Sequence, residues 1–514
     1  MRSPLLDHTS RVQRDQQVFV PAPVRGINRR DNPLELRAEE ALDLVNWIAS
    51  PERVRVRPGY GEHSLTAQAL SSLMGYTDGS NIHLFAAGTS NVYNVTTSLP
   101  VVVFSCTDGD FTSFNFAAGG ANYLYALNGL DAPQLFNGTT WQAVTTTSTP
   151  IAITGEGPDG LTAGVPYNER IFFLKRGRQS IYYLPAGQVG GTLTEFPVGR
   201  YLARGGSLLA IGVVSFDGGD GVNSNLVAAS TEGEILMYRG TDPSDPAAWR
   251  LIGSYFLSPP LNKHAFFSYG SSLLYLCEGG VYDLVVSLAN AKTGKTLALT
   301  DRLGRLLENF LSTYREDPKW RLSYHPQERL LVLNTPDPDG QQFVMDVRNG
   351  AWSRLTGWKA SDILFFEGKF YFTSALGVYR AFTTRQDLGL PITADAVSAP
   401  RMLASPGRLT KVTGTQAWFQ HRGDFQFGTK VLGDLEIASM AAYLSNAAFS
   451  TAFTWDVSLW DQATWDSSAG ASHQWETPTS SPSQRVALGL RVVNNQAEIS
   501  WLGSDVAFLA GRSW

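Results

Sequence analysis

Ile82-His83-Leu84-Phe85-Ala86-Ala87-Gly88 followed by Asn91-Val92-Tyr93-Asn94-Val95 is the stretch whose pattern decides the fold. An apolar run of strand length meets a turn and resumes as a second run carrying an aromatic. The same phrase returns as Tyr123-Leu124-Tyr125-Ala126-Leu127 with Gln134-Leu135-Phe136, closed by an Asn137-Gly138 turn before Trp141. It returns again at Ile171-Phe172-Phe173-Leu174 with Ile181-Tyr182-Tyr183-Leu184, and at Leu226-Val227-Ala228-Ala229 with Ile235-Leu236-Met237-Tyr238. Three more pairs start at Leu273, Leu330 and Lys369. Seven hairpin-like units at irregular spacing of roughly 35 to 60 residues predict a β-propeller-like core, because each blade buries its faces only against its neighbours.

Outward from that core, the sequence divides into an N-terminal arm and docking segment (1–64), the propeller-like domain (65–385) and a C-terminal β-sandwich-like domain (386–514). The last is marked by Gln416-Ala417-Trp418-Phe419 and Phe425-Gln426-Phe427, and by two closing strands, Gln496–Leu502 and Asp505–Leu509. Few short helices are expected. One spans Thr300 to Tyr314, with Leu303, Leu306, Leu307, Phe310 and Leu311 at helical spacing, and packs between blades. Another is read through Ala38, Ala41, Leu42, Leu44 and Trp47.

Composition agrees with an ordered all-β protein. Of 514 residues, 43% are hydrophobic and 17% charged, with 27 Phe, 19 Tyr and 13 Trp. Lys and Arg number 41 against 46 Asp and Glu, a net −5 that is too mild for a general nucleic-acid binder, so contact with DNA would be local. Cys106 and Cys277 lie in separate apolar runs and read as buried free thiols. No run approaches the roughly 18 apolar residues of a membrane span, and the first seventeen residues lack the apolar core of an export signal.

The sharpest local motif is Arg53-Val54-Arg55-Val56-Arg57-Pro58-Gly59-Tyr60. Alternation places the three guanidinium groups on one strand face and the valines on the other, with a Pro-Gly turn behind. Such a ladder suits phosphate or a neighbouring subunit's carboxylates, or it is a charged edge that discourages aggregation. Arg25, Arg29, Arg30 and Trp47 lie upstream, where the chain is expected to reach a neighbour. Asp217-Gly218-Gly219-Asp220-Gly221 reads as a tight turn before a cation loop. Trp455-Asp456, Trp460-Asp461 and Trp465-Asp466 read as packing before a sugar platform. The seven histidines show no metal-ligand spacing, and no phosphate loop, nucleophile elbow or zinc-protease pair occurs, so no catalytic, metal or cofactor residues are assigned.

Val24-Arg25-Gly26-Ile27-Asn28, Asn46-Trp47 and the Arg53 to Tyr60 run resemble the opening of structural proteins encoded beside portal and adaptor genes of tailed phages. Ile211-Gly212, Phe216 to Gly221, Thr231 to Glu234 and Tyr238 to Pro243 look like the middle of the same family. That family is similar to the tail nozzle or hub proteins of short-tailed phages, also called packaged-DNA stabilisation proteins. The resemblance implies a non-enzymatic virion protein assembled in the host cytoplasm. It would be a homo-oligomer forming a six-fold ring below the head-to-tail adaptor, contacting packaged DNA transiently and meeting a tail fibre or spike and a receptor. It brings no catalytic residues and no cofactor. The rival reading is a propeller that binds or hydrolyses glycans, for which Asp217, Asp220 and Glu232 are the carboxylates to test for convergence.

Overall fold

The computed structural model describes residues 15–217, 222–290, 297–434, 447–449, 470–478, 480–494 and 496–511. Two compact units form: Pro58–Leu388, and a second assembled from both flanks, Met1–Arg57 with Gly389–Trp514. The segment expected as a separate arm is therefore divided. Residues through Arg57 supply strands to the flank-built unit, and Gly59–Leu65 is a strand of the central one.

The central unit is a seven-bladed propeller. Its blades are meanders of consecutive strands running Leu70–Thr77 to Val101–Ser105 (blade I), Thr112–Ala118 to Trp141–Ala143 (II) and Leu161–Tyr167 to Gly191–Pro197 (III). Blade IV runs from Leu208–Asp217 to Trp249–Phe256 and blade V, with three strands, from Phe266–Tyr269 to Gly280–Asp283. Blade VI runs from Arg321–His325 to Ala351–Leu355, and blade VII begins at Ile363–Phe366. Each hairpin unit read from the sequence falls in a different blade.

Packing between blades follows from the two-sided apolar strands. Tyr125 and Leu127 of blade II meet Ile171, Phe173 and Leu193 of blade III in one buried cluster. Phe172 and Leu174 of blade III point the other way, against Leu226, Leu236 and Tyr238 of blade IV. Period-2 alternation thus feeds two interfaces from one strand, at about 1.5 to 3 kcal/mol for each large apolar side chain fully buried. Leu73, Leu84 and Tyr93 of blade I join Tyr371 and Val378 of blade VII, which closes the ring.

Closure in sequence comes from afar. Gly59–Leu65, which precedes blade I, is the outermost strand of blade VII and pairs antiparallel with Gly377–Thr384. Leu388 then donates its N–H to the Tyr60 carbonyl at 3.1 Å. Pro58-Gly59 is consequently no turn. A Cβ on Gly59 would collide with the Gln386 carbonyl oxygen, so the glycine is there for close backbone approach.

The flank-built unit is a sandwich. One sheet orders Trp47–Ala49, Val54–Val56, Glu498–Ala510, Thr410–Arg422 and Gly470–Glu476, with Gln16–Pro21 also pairing Glu498–Ala510. The other sheet holds Ala41–Val45, Ile392–Ser398, Val486–Asn494, Phe425–Gly433 and Ala447–Phe449. Val20, Val412 and Val506 from the first meet Val431, Val486 and Leu488 from the second. The helix expected through Ala38 to Trp47 is instead two strands, broken at Asn46 with φ 60°. Pairing of Ala41–Val45 with Ile392–Ser398 overrides the helical spacing, since tertiary partners outweigh local preference. The two closing strands are one, Glu498–Ala510, irregular where Trp418 pairs Gly503 and Phe419 pairs Trp501, which leaves Leu502 as the extra residue.

The Thr300 to Tyr314 helix is split by Gly304, φ 48°, into a 3-10 turn Asp301–Leu303 and a helix Arg305–Thr313 that buries Leu307 and Leu311. Cys106 and Cys277 are free and buried. Burial pushes the Cys106 thiol up to about 11 and the Cys277 thiol up to about 12. The three Trp-Asp pairs and Gly218 to Gly221 lie outside the described residues.

Gly59→Ala is expected to lower propeller stability by about 1 to 3 kcal/mol, the usual cost of overpacking a site that cannot relax. Gly61→Ala, whose added Cβ would meet nothing closer than 3.7 Å, serves as the control and stays within about 0.5 kcal/mol. Urea unfolding followed by tryptophan fluorescence measures both.

Candidate functional site

The expected contact residues separate into three kinds. Trp47 and Arg57 are core. Trp47 is 0% exposed and packs against Trp501 with ring centroids 6.0 Å apart, and Arg57 is 1% exposed and donates Nε to the Asn46 side-chain oxygen at 2.8 Å. The arginine ladder therefore has two rungs, because the backbone N–H of Arg57 also bonds the Asn46 carbonyl and holds the residue inside. Arg25 and Arg30 face carboxylates, Glu39 at 3.7 Å and Asp31 at 2.7 Å, in exposed pairs of small energetic weight. Arg29 is half-buried and its Nε is enclosed without a partner.

Arg53 and Arg55 remain as half-buried guanidinium groups flanking the buried Val54, on the solvent side of the strand Val54–Val56. Arg53 Nη1 lies 3.5 Å from the Ser500 hydroxyl, and Arg55 is opposite Ile48 on one side and Ser500 on the other. The alternation of the sequence is thus real for these two, and fails at the third where the strand ends.

In the propeller, sequence reasoning missed the most concentrated charge. The residues just ahead of the first strands of blades II, V and VII, and the first residue of that strand in blade VI, are Asp110, Lys263, His264, Asp362 and Arg321. All stand at the same end of the ring. In a seven-membered ring blade II faces blades V and VI across the axis, so their contact spans the central channel. Arg321 donates Nη2 to Asp110 Oδ1 at 2.8 Å and Nε to Asp362 Oδ1 at 3.2 Å. Lys263 Nζ lies 3.2 Å from Asp110 Oδ2, and His264 Nε2 lies 2.9 Å from Asp110 Oδ1. Asp362 also accepts the backbone N–H of Leu73 in blade I at 2.8 Å, so the network touches blades I, II, V, VI and VII.

These groups are largely withdrawn from water, Arg321 and Asp362 buried and Asp110, Lys263 and His264 partly so. Arg321 is 7% and Asp110 17% exposed. Burial pushes the Asp362 carboxyl above the usual carboxylate range against the pull of Arg321, and pushes the Lys263 ammonium below its ordinary value against the pull of Asp110. Each charge is therefore tolerated through its partners, and the cluster acts as a set of cross-axis struts. The signal that could have found it is positional: a charged residue standing at or just before the first apolar strand of several units.

Of the residues named for the glycosidase rival, the two with a described backbone stand at opposite ends of one strand. Asp217 and Glu232 flank opposite ends of the nine-residue strand Val222–Ser230, roughly 30 Å apart at about 3.3 Å per residue, and Asp220 lies outside the described residues. Among the described residues, no three His, Cys, Asp or Glu side chains gather as a metal site. None of the described helices is long and apolar enough to cross a membrane.

Asp110→Ala strands Lys263 and Arg321 without their shared anion. It is expected to destabilise the propeller by about 3 to 5 kcal/mol, the range for breaking a buried pair. Arg30→Ala, which removes one exposed pair, is expected to change stability by less than about 1 kcal/mol. Denaturant titration of the two variants side by side checks the contrast.

No family model matches the chain, and no curated protein matches it. Among solved structures it is similar to the extracellular domain of a putative one component system from B. thetaiotaomicron. That match is 11% identical, covers 72% of this chain and 44% of that one, and has a TM-score of 0.41, so the chain spans less than half of that neighbour's length. It is also similar to YCF48 from Cyanidioschyzon merolae, at 12% identity over 63% of this chain and 98% of that chain with a TM-score of 0.37. A third is a putative 6-phosphogluconolactonase from Bacteroides fragilis, at 14% identity over 65% of this chain and 91% of that chain with a TM-score of 0.35.

Proposed function

We propose that this chain is a structural virion protein, the nozzle or hub of a short phage tail. In this reading it docks as a six-fold ring below the portal-adaptor complex, retains packaged DNA and gates its ejection. The observation that carries the mechanical reading is the strutted axis. A propeller's central channel is its natural ligand cavity, and here buried ion pairs from opposite blades cross one end of it. A disc braced in this way keeps its shape under load and offers its outer surfaces for contact.

The sequence resemblance supplies the specific assignment, and the surface chemistry is compatible with it. A closed ring uses heterologous interfaces, in which one patch meets a different patch on the next copy. Arg53 and Arg55 present two cations on one strand face of a chain whose net charge is −5. Mild overall repulsion lets DNA slide, while a few local cations provide friction or grip a neighbouring carboxylate.

Light scattering and negative-stain imaging of the purified protein, alone and mixed with adaptor, test the reading. A six-fold ring, formed spontaneously or on meeting the adaptor, is the expected outcome; a monomer or trimer that ignores the tail would sink it. Arg55→Glu is expected to weaken ring or tail assembly at least about tenfold, or about 1.4 kcal/mol, while the melting temperature moves by no more than a few degrees. Equal loss of both would assign the arginine to the fold instead.

A further inference from the structure

A hollow between blades IV and V plays no part in the mechanical reading. It measures about 460 Å³, an ordinary size for a small-ligand site, and is lined by Arg204, Phe256, Leu257, Ser258, Pro259 and Tyr282. Arg204 lies in the segment that leads into the first strand of blade IV, Phe256 closes its fourth strand, and Tyr282 belongs to the third strand of blade V.

Arg204 is exposed, and its Cζ lies 4.5 Å from the centroid of the Phe256 ring, itself 50% exposed. Contact with the ring positions the guanidinium without using its N–H groups. Among the described residues, only Nη1 has a partner, the Glu232 carbonyl at 3.5 Å, so most of the five donors are left for a ligand. Two hydroxyls of the same hollow meet at Gly279, where a Cβ would lie 2.8 Å from Tyr282 Oη and 2.9 Å from Ser258 Oγ. Burial pushes the Tyr282 hydroxyl above its ordinary value, so it remains a donor at neutral pH. Two carboxylates of the surrounding chain are committed elsewhere. Glu234 is buried and accepts the Arg204 backbone N–H at 3.1 Å and the Ser254 hydroxyl at 2.9 Å, and Glu278 is paired with Arg315.

The rim adds charge of one sign. Gln179 ties residues 176–179 to residues 199–206, since its amide donates to the Gly206 carbonyl at 2.6 Å and its carbonyl accepts the Val198 N–H at 3.2 Å. These two segments expose Arg176, Arg178, Arg200 and Arg204 among small or neutral residues, and neither contains a carboxylate. Arg170, Arg348 and Arg491 are held by carboxylates, whereas among the described residues no carboxylate pairs with these four. In a chain of net charge −5 this is a local cationic excess, and a concave site lined by one sign of charge concentrates the opposite ion.

We propose that the hollow binds a small phosphorylated ligand, with its phosphoryl group on Arg204 and the hydroxyls of Ser258 and Tyr282. A phosphoryl group presents three acceptor oxygens, enough for the guanidinium fork and both hydroxyls, whereas the fork alone occupies the two oxygens of a carboxylate. The hollow has more room than one phosphoryl group fills, and Leu257, Pro259 and the Phe256 ring give the organic part of the ligand an apolar wall.

Calorimetric titration of the full chain with phenyl phosphate, and with benzoate at the same ionic strength as the comparison, tests the site. Saturable binding of phenyl phosphate is expected, displaced by inorganic phosphate and at least about tenfold tighter than that of benzoate. Arg204→Ala is expected to weaken it at least about tenfold, and Tyr282→Phe, which keeps the ring and removes only the hydroxyl, by a few-fold. Arg30→Ala in the sandwich leaves it unchanged. No saturable heat, equal affinity for benzoate, or unchanged affinity in Arg204→Ala overturns the proposal. So does a loss in Arg176→Ala as large as in Arg204→Ala, because the anion would then be held by the rim and not in the hollow. The site rests on the propeller surface and not on the nozzle reading, so either can fail without the other.

Discussion

Seven blades arranged about an axis leave a hole, and what fills it determines how much the ring can breathe. In this protein the hole is crossed at one end by Arg321, which reaches Asp110 on the far side and Asp362 beside it, while Lys263 and His264 converge on the same Asp110 carboxylate. Withdrawing five ionisable side chains from water, two of them fully, is unfavourable unless the charges find partners, and replacing such pairs by apolar groups is often neutral for stability. Their physical consequence is geometric. Hydrogen-bonded charges have directional requirements that methyl groups lack, so the blades they join are fixed in one orientation around the axis.

The second constraint on the ring is covalent order. A propeller built only from consecutive meanders has a seam where its last blade meets its first. Here the seam is covered twice, by the apolar cluster of Leu73, Leu84, Tyr93, Tyr371 and Val378, and by Gly59–Leu65 arriving as the outer strand of blade VII. Asp362 adds a third tie through the Leu73 N–H. Opening the seam therefore requires breaking backbone pairing, hydrophobic packing and a buried charge-assisted hydrogen bond together, and these are the interactions that make local opening cooperative.

The blades were legible in the sequence because their signal is local: apolar runs of strand length, turn residues at fixed places, and an aromatic near the end of the second run. Blade VII announced itself through Lys369–Phe372 and Val378–Ala381, yet its fourth strand did not, since Gly59–Leu65 is separated from its partner by the whole ring. The same limit explains the false helix. Ala41, Leu44 and Trp47 satisfy helical spacing, but they belong to two strands broken at Asn46, whose partners lie as far away as Ile392–Ser398. Beyond that shared position ahead of a strand, the axial cluster was hard to read for a related reason. Asp110, Lys263, Arg321 and Asp362 form no motif in the chain, and only the ring topology brings residues more than 200 positions apart to within 2.8 Å.

Arginine shows how far residue type falls short of residue role. Arg321 and Arg57 are buried and act in the fold, the first across an axis and the second on Asn46. Arg25 and Arg30 sit against exposed carboxylates, where solvent screening leaves little net attraction. Arg53 and Arg55 are half-buried beside buried valines, Arg53 with Nη1 3.5 Å from the Ser500 hydroxyl. A count of basic residues would weigh all six alike. Long-range attraction of an anion depends on charges that remain uncompensated at the surface, so neither the arginines buried in the fold nor those held against carboxylates can be counted toward it.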